Sequence, residues 1–481
     1  MENKLNNEIT KRFVQFIKKI KYEDLPPKVI ERAKLVILDS FANQIAAATF
    51  PIGKIIKNYL SDFQGKEQST VIGYNKKLPC EIAAWANSTL AHGLDIDGGE
   101  IRRGVHAHPS CKSLPVSLAV GEYIEANGKD LLTAFILSDE IQIKIGSIVQ
   151  PSHFKRGFHG TGTFGVFGSC AAAGKLLKLS EEELIYAFGI GGSLVSALAV
   201  NMGTMAKSLH AGNAAQQGVK AVLLAQKGWK STKNIIGARA GFCQAMSDEY
   251  FSEAGSASLS KKMFISTLRL GDPWEIENPG MFFKAYPSCG YMQQGIELAI
   301  KMAKKYNIDI NQIERVELGV DAMCIDLSQL AGGGKIPKDG YQARYNLAAG
   351  IAVGLDRKSA DIDDFTDEVF QNPQLIKLMR KIKSYIEPEI VKSGYTSQGQ
   401  KIKITMKNGE QYVGKAGIIK VKNLAERGNS IEMSEDKIKK KYMRLSGRLL
   451  SLEKVDKLYE LVNNLEKLEN IKEITKIFSD Q

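Results

Sequence analysis

Apolar residues recur at helical spacing through most of the first 265 positions, and the elements they predict are helices. Phe13, Phe16, Ile17 and Ile20 mark one amphipathic face, and Pro26 and Pro27 stand where a second helix begins ahead of Val29, Ala33, Leu35 and Ile37. The stretches Leu114–Tyr123, Leu131–Ile145, Val166–Leu177 and Asn213–Lys227 are rich in small and apolar residues and too long for ordinary strands. Ser180 followed by Glu183 is a capping-box start. The uncharged run Leu184–Ala206 is long enough to cross a bilayer. Its Gly189, Gly191, Gly192, Gly203, Ser193, Ser196 and Asn201 instead suit a close-packed buried helix and a turn.

The pattern changes after about residue 270. Val316, Leu318 and Val320 alternate with polar or small residues as a half-buried strand does. Asn408-Gly409 sits between alternating runs over 401–413, which predicts a hairpin with a two-residue turn. Helices are predicted between them at Gln293–Lys305 and Ala343–Leu355, and charged, leucine-bearing helix returns from Asp436 to Phe478. The chain therefore reads as mainly α: a helical part over 1–268, a smaller α+β unit over 269–415, and C-terminal helices over 416–481 packed on the first part.

Composition narrows the class without choosing a function. With 481 residues, the chain exceeds one core; 44% hydrophobic and 25% charged residues exclude a disordered, collagenous or mainly membrane-embedded protein. The 65 Lys and Arg against 53 Asp and Glu give +12, but the bases are dispersed among acids with no aromatic-basic stripe, so neither a nucleic-acid nor a membrane partner is expected. The polar N-terminal segment lacks the apolar core of a signal peptide, and the six cysteines are far apart, so a cytoplasmic address with reduced thiols is expected.

The six histidines carry more information, because all lie between His92 and His210. Asp95, Asp97, His106 and His108 share a short span with Arg102 and Arg103, which combines proton donors, proton acceptors and anion anchors. No helical His-x-x-x-His spacing is present, and no metal is expected. Pro109 sets His108 at a helix entrance. Gly160–Gly165 matches the dinucleotide pattern G-x-G-x-x-G, but no strand leads into it; the better reading is a glycine-rich helix start with His159 at its lip. Lys207 and His210 stand ahead of a helix, where Lys207 is either a carboxylate anchor or base, or an ordinary surface lysine. Lys284, Tyr286, Cys289, Tyr291 and Gln293 form a last cluster, in which Cys289 has no local base and reads as a buried thiol.

Taken in order, HGLDID, HPSCKSLPVSLAVGE, GFHGTGTFG, AKSLHAGNAAQQG, KAYPSCGY and QARYNLAAG resemble the MmgE/PrpD family, which includes 2-methylcitrate dehydratases, cis-aconitate decarboxylases and an iminodisuccinate epimerase. The resemblance implies a large helical domain with an inserted α+β lid, a homodimer, and catalysis without a cofactor on a small carboxylic acid. It places the catalytic residues at Asp95, His108, His159 and Lys207. His159 and Lys207 would exchange a proton α to a carboxylate, while Asp95 and His108 orient and protonate the leaving group. Arg102, Arg103, Cys289 and Gln293 complete the substrate-binding set. The chain departs from the family at Gly98, where many members have aspartate, and at Gln293, where many have histidine. The expectation is a lyase of the dehydratase type, the alternatives being a decarboxylase, an epimerase or a catalytically retired binding protein.

Overall fold

Helix starts are written into the local sequence and the structure uses them. In the computed structural model, which describes residues 8–100, 105–248, 268–332, 336–392, 399–417 and 433–478, Pro27 occupies the first turn of a helix over Pro27–Ala48. Asn127 caps Gly128–Val149 by accepting from the Asp130 N–H, and Ser180 and Glu183 close a capping box on Glu181–Gly192. That last helix ends at Gly192 and the chain turns, so the long uncharged run is broken inside the core. No single helix among the described residues is long and apolar enough to cross a membrane.

These helices, with Cys80–Ala91, Ser110–Tyr123, Gly165–Leu176 and Ala206–Gln226, share one apolar cluster. Ile438, Tyr442, Leu445, Val455, Leu458 and Ile471 belong to it as well, so the helices Glu435–Ser446 and Leu452–Asn463 pack on the first half of the chain. A second cluster gathers around a four-stranded sheet. Its strands are β3 (Ile313–Val320), β4 (Ile382–Ile386), β5 (Gln400–Met406) and β6 (Gln411–Ala416), in the order β4-β3-β5-β6. β3 and β4 are parallel and the other pairs antiparallel. The helices Gln293–Lys305 and Leu347–Arg357 belong to the same cluster, and the fold is mainly α with a small sheet.

Four details differ from the sequence pattern. The hairpin loop has three residues, because the Met406 N–H bonds to Glu410 O at 2.9 Å and Gly409 takes φ +89°, the bulged form of such turns. The helix expected from Ala343 starts at Leu347, because the Asn346 side chain accepts from the Ala349 N–H and sets a new cap. A small hairpin of β1 (Ser69–Val71) and β2 (Tyr74–Leu78) interrupts the helical half. Its edge is satisfied by helix side chains: Asn87 accepts from the Ile72 N–H and Glu122 from the Thr70 N–H. β4 also went unmarked, as an edge strand with one buried residue in five.

Candidate active site

The turn after Cys80–Ala91 puts carboxylates and imidazoles together. Asp95 takes φ +53°, a left-handed conformation, and its side chain is buried between two ammonium groups. Lys207 donates to its Oδ1 at 2.5 Å; Lys284 donates to the same oxygen at 3.1 Å and to the Asp95 carbonyl at 2.9 Å. Burial works against the Asp95 charge, but Lys207 and Lys284 outweigh it and hold the carboxyl well below the usual range. Burial likewise lowers the Lys284 pKa, and Asp95 and Asp97 more than reverse this.

Asp97 organises two imidazoles. Its Oδ2 lies 2.7 Å from His92 Nδ1 and 3.3 Å from His108 Nδ1, and His108 Nδ1 is also 2.9 Å from the Gly98 carbonyl. Two acceptors around one ring nitrogen fix the proton there, which leaves Nε2 as the free nitrogen of His108. Burial pulls the His108 pKa down and takes that of His92 to about 3, so both rings are neutral N–H donors to an Asp97 carboxylate. His159 Nδ1 and His210 Nδ1 are 2.9 Å apart, so one proton is shared between them. Burial depresses both, His159 strongly and His210 to about 4. His92 and His159 stack with ring centres 5.9 Å apart.

His106, His108, His159 and Lys207 form the polar wall of one cavity; Phe154, Met202, Phe282, Met323 and Leu327 form its apolar wall. Tyr345 also lines it, 5.5 Å beneath the Lys207 ammonium. Met202, Tyr291, Met323, Leu327 and Tyr345 of the lining belong to the sheet-side cluster, whereas His106, His108, His159 and Lys207 come from the helical part, so both parts of the chain build the cavity.

Asp95, His108, His159 and Lys207 are thus brought together. Lys207 is 4% exposed and sits inside the Ala206–Gln226 helix rather than ahead of it, which removes the surface-lysine reading. Cys289 lines the cavity, and burial pushes its thiol up to about 11, so it is no thiolate nucleophile near neutral pH. Gln293 is a correction. Its amide accepts from the Ala285 and Tyr286 N–H groups and donates to Tyr286 O and Ser288 O, so it clamps the Ala285–Ser288 turn and does not line the cavity. Arg102 and Arg103 lie outside the described residues. Gly98 has a steric reason: a Cβ there would stand 2.1 Å from Phe282 O, so an aspartate does not fit this backbone. Gly160–Thr163 is a single helical turn with no strand before it, which disposes of the dinucleotide pattern.

Sequence reasoning left out Tyr345, and it noted Lys284 and His210 without assigning them to the site. Lys284 is distinguished from other lysines only by its partner, 189 positions away in the chain. His92, His153 and His210 are absent from the cavity wall; His92 meets Asp97 and His210 meets His159, whereas His153 bonds to Thr163 at 2.8 Å. His92, Asp97 and His108 offer ligand atoms within 4.8 Å of one another, but both Nδ1 atoms carry the protons bonded to Asp97, so the group is a hydrogen-bonded triad as it stands.

A helical body joined to a small sheet unit, with histidines and a lysine on the wall of a cavity that both build, defines a class of protein. The chain belongs to the MmgE/PrpD family: residues 11–253 match the MmgE/PrpD N-terminal domain and residues 286–467 the C-terminal domain. It is 26% identical to a cis-aconitate decarboxylase of Homo sapiens over 97% of this chain and 94% of the relative. A cis-aconitate decarboxylase of Mus musculus is 25% identical over 98% and 93%, and one of Aspergillus terreus 23% identical over 96% and 94%.

Proposed function

We propose that the protein is a lyase of small di- or tricarboxylic acids, with loss of carbon dioxide from an unsaturated acid as the leading reaction and loss of water from a hydroxy acid as the second. Sequence reasoning puts dehydration first; the full-length relatives named as cis-aconitate decarboxylases favour decarboxylation. The carrying observation is one cavity wall that joins three imidazoles to Lys207, the lysine that shares the ionised Asp95 with Lys284 behind it.

Both reactions ask for the same equipment. In decarboxylation the bond to the departing carboxylate breaks, its electron pair moves into the conjugated system of a remaining carboxylate, and carbon takes up a proton. In dehydration a base removes the α-proton, and the hydroxyl leaves as water after accepting one. Each builds negative charge on a carboxylate and moves a proton at carbon. Among the described residues, Lys207 is the cation on the cavity wall to meet that charge. His108 and His159, whose Nδ1 atoms are committed and whose Nε2 atoms have no partner among the described residues, are the proton carriers. Asp95, held ionised, positions Lys207 rather than donating a proton.

The test is incubation with cis-aconitate, citrate and methyl-substituted citrate, following released carbon dioxide and the absorbance of unsaturated product. Carbon dioxide from cis-aconitate supports the leading reaction, and absorbance growing from a hydroxy acid supports the second. Binding without turnover across the panel means a retired, ligand-binding member of the family. His159→Gln and Lys207→Ala are each expected to lower kcat about 100-fold or more; near-normal turnover removes that residue from the mechanism.

A further inference from the structure

Four buried lysines from four separate segments end on one loop, and only one of them lines the cavity. Lys207 and Lys284 meet Asp95, as described. Lys441, from the helix Glu435–Ser446, donates to the Ile96 carbonyl at 2.7 Å across 345 positions of sequence. Lys112, in the first turn of Ser110–Tyr123, donates to the His108 carbonyl at 2.6 Å. None is more than 4% exposed.

Lys441 and Lys112 reach backbone oxygens, one on each of the two arms, 95–100 and 105–108, that pair at Glu100 and Ala107. Ile96 lies between Asp95 and Asp97, and His108 closes the span. Lys441 is anchored by Asp39 at 2.6 Å, and Asn43 holds the other Asp39 oxygen at 3.0 Å. Lys112 is wedged against the glycine-rich turn of His159: a Cβ on Gly165 would lie 2.5 Å from the Lys112 Cε. A water or a neutral amide satisfies a buried carbonyl at far lower cost than a desolvated ammonium. What the ammonium adds is a rigid, charge-assisted bond and a positive potential under a cavity that receives carboxylates. The contacts that depend on this loop are short, 2.7 Å from Asp97 to His92 and 3.3 Å to His108, and such geometry is lost with displacements of about 0.5 Å.

We propose that Lys112 and Lys441 are positioning residues, which clamp His108 and Ile96, on the arms 105–108 and 95–100 that pair at Glu100 and Ala107, from behind the cavity and keep Asp97, His108 and Lys207 in register. The helix Glu435–Ser446 is thereby part of the active-site machinery without contacting the substrate. The turnover consequence rests on the lyase reading above; the geometric one does not.

The experiment uses the full chain labelled with ¹⁵N-histidine and compares Lys441→Met and Lys112→Met with the parent and with Lys34→Met. Lys34 holds the same C-terminal segment at Asn463 and Glu466 but does not reach the loop. With cis-aconitate as probe, each loop variant is expected to lose about 10- to 100-fold in kcat with KM little changed. The Nδ1–H resonances of His92 and His108 are expected to shift in Lys441→Met, and that of His108 in Lys112→Met; Lys34→Met leaves rates and resonances as in the parent. Unchanged resonances and kcat in the loop variants, or the same change in Lys34→Met, overturn the proposal and reduce these lysines to structural contacts. If Lys441→Met does not fold, Lys441→Gln, which keeps a donor and drops the charge, is read by the same resonances. If the parent turns over no acid, the resonances still decide, and only the lyase reading falls.

Discussion

Asp95 shows how much one residue depends on distant partners. Its carboxylate is the only negative charge in direct contact with both Lys207 and Lys284 among the described residues. Asp95→Asn leaves two buried ammoniums facing a neutral amide, and breaking a buried pair this way costs about 3–5 kcal/mol. The expected outcome is a lower urea midpoint together with loss of turnover, checked by denaturant titration and a rate assay on the same preparation. Because its folded pKa is depressed, the stability Asp95 contributes is present above its unfolded pKa and lost as pH falls through the folded value. The residue types of the site were legible in sequence, because acid–base side chains are rare in apolar runs and here they cluster. Their roles were less so. Gln293 reads as a substrate-binding residue and serves the backbone, while Lys284 stands in its cluster without a role and meets Asp95.

At the scale of elements, local signals set where helices start and tertiary contacts decide the exceptions. The capping box on Glu181–Gly192 is local chemistry, with the Ser180 N–H bonded to Glu183 at 2.7 Å and the Glu183 N–H to Ser180 at 3.2 Å. Ser180→Ala is expected to cost about 1 kcal/mol and to leave turnover unchanged, since Ser180 is not on the cavity wall; equilibrium unfolding with a rate assay checks both. The β1–β2 hairpin has no such signature. Three residues of β1 are too few for alternation to show, and the bonds that hold it come from Asn87 and Glu122 on helices. The Ala206–Gln226 helix begins seven residues before the apolar run that predicts it. Its first turns hold Lys207, which lines the cavity and meets Asp95, and His210, which meets His159, so both are buried by tertiary contacts.

For the whole molecule, the buried titratable groups set opposing pH trends. Burial holds His92 and His153 at about 3 and His106 and His210 at about 4, below their unfolded value, so the unfolded chain takes up protons that the folded one refuses as pH falls below about 6.5. Burial raises Asp139 and Glu140 to about 7, and the stability they contribute is lost as pH rises toward that value. Four histidines outweigh two carboxyls between about pH 4.5 and 6.5, so thermal stability is expected to rise with pH through that window and to level off or fall slightly near 7. Melting temperatures across pH 4.5 to 8 check this; stability that increases into acid would contradict it. By itself, the sequence determined the helical character, the change to α+β texture and the short list of chemical residues, because periodicity, caps and clustering act over a few positions. Only the tertiary structure decided which lysines meet which carboxylates and that the helix Glu435–Ser446 reaches Ile96. Those contacts join residues 112 to 345 positions apart, and burial, rather than residue type, makes their charges matter.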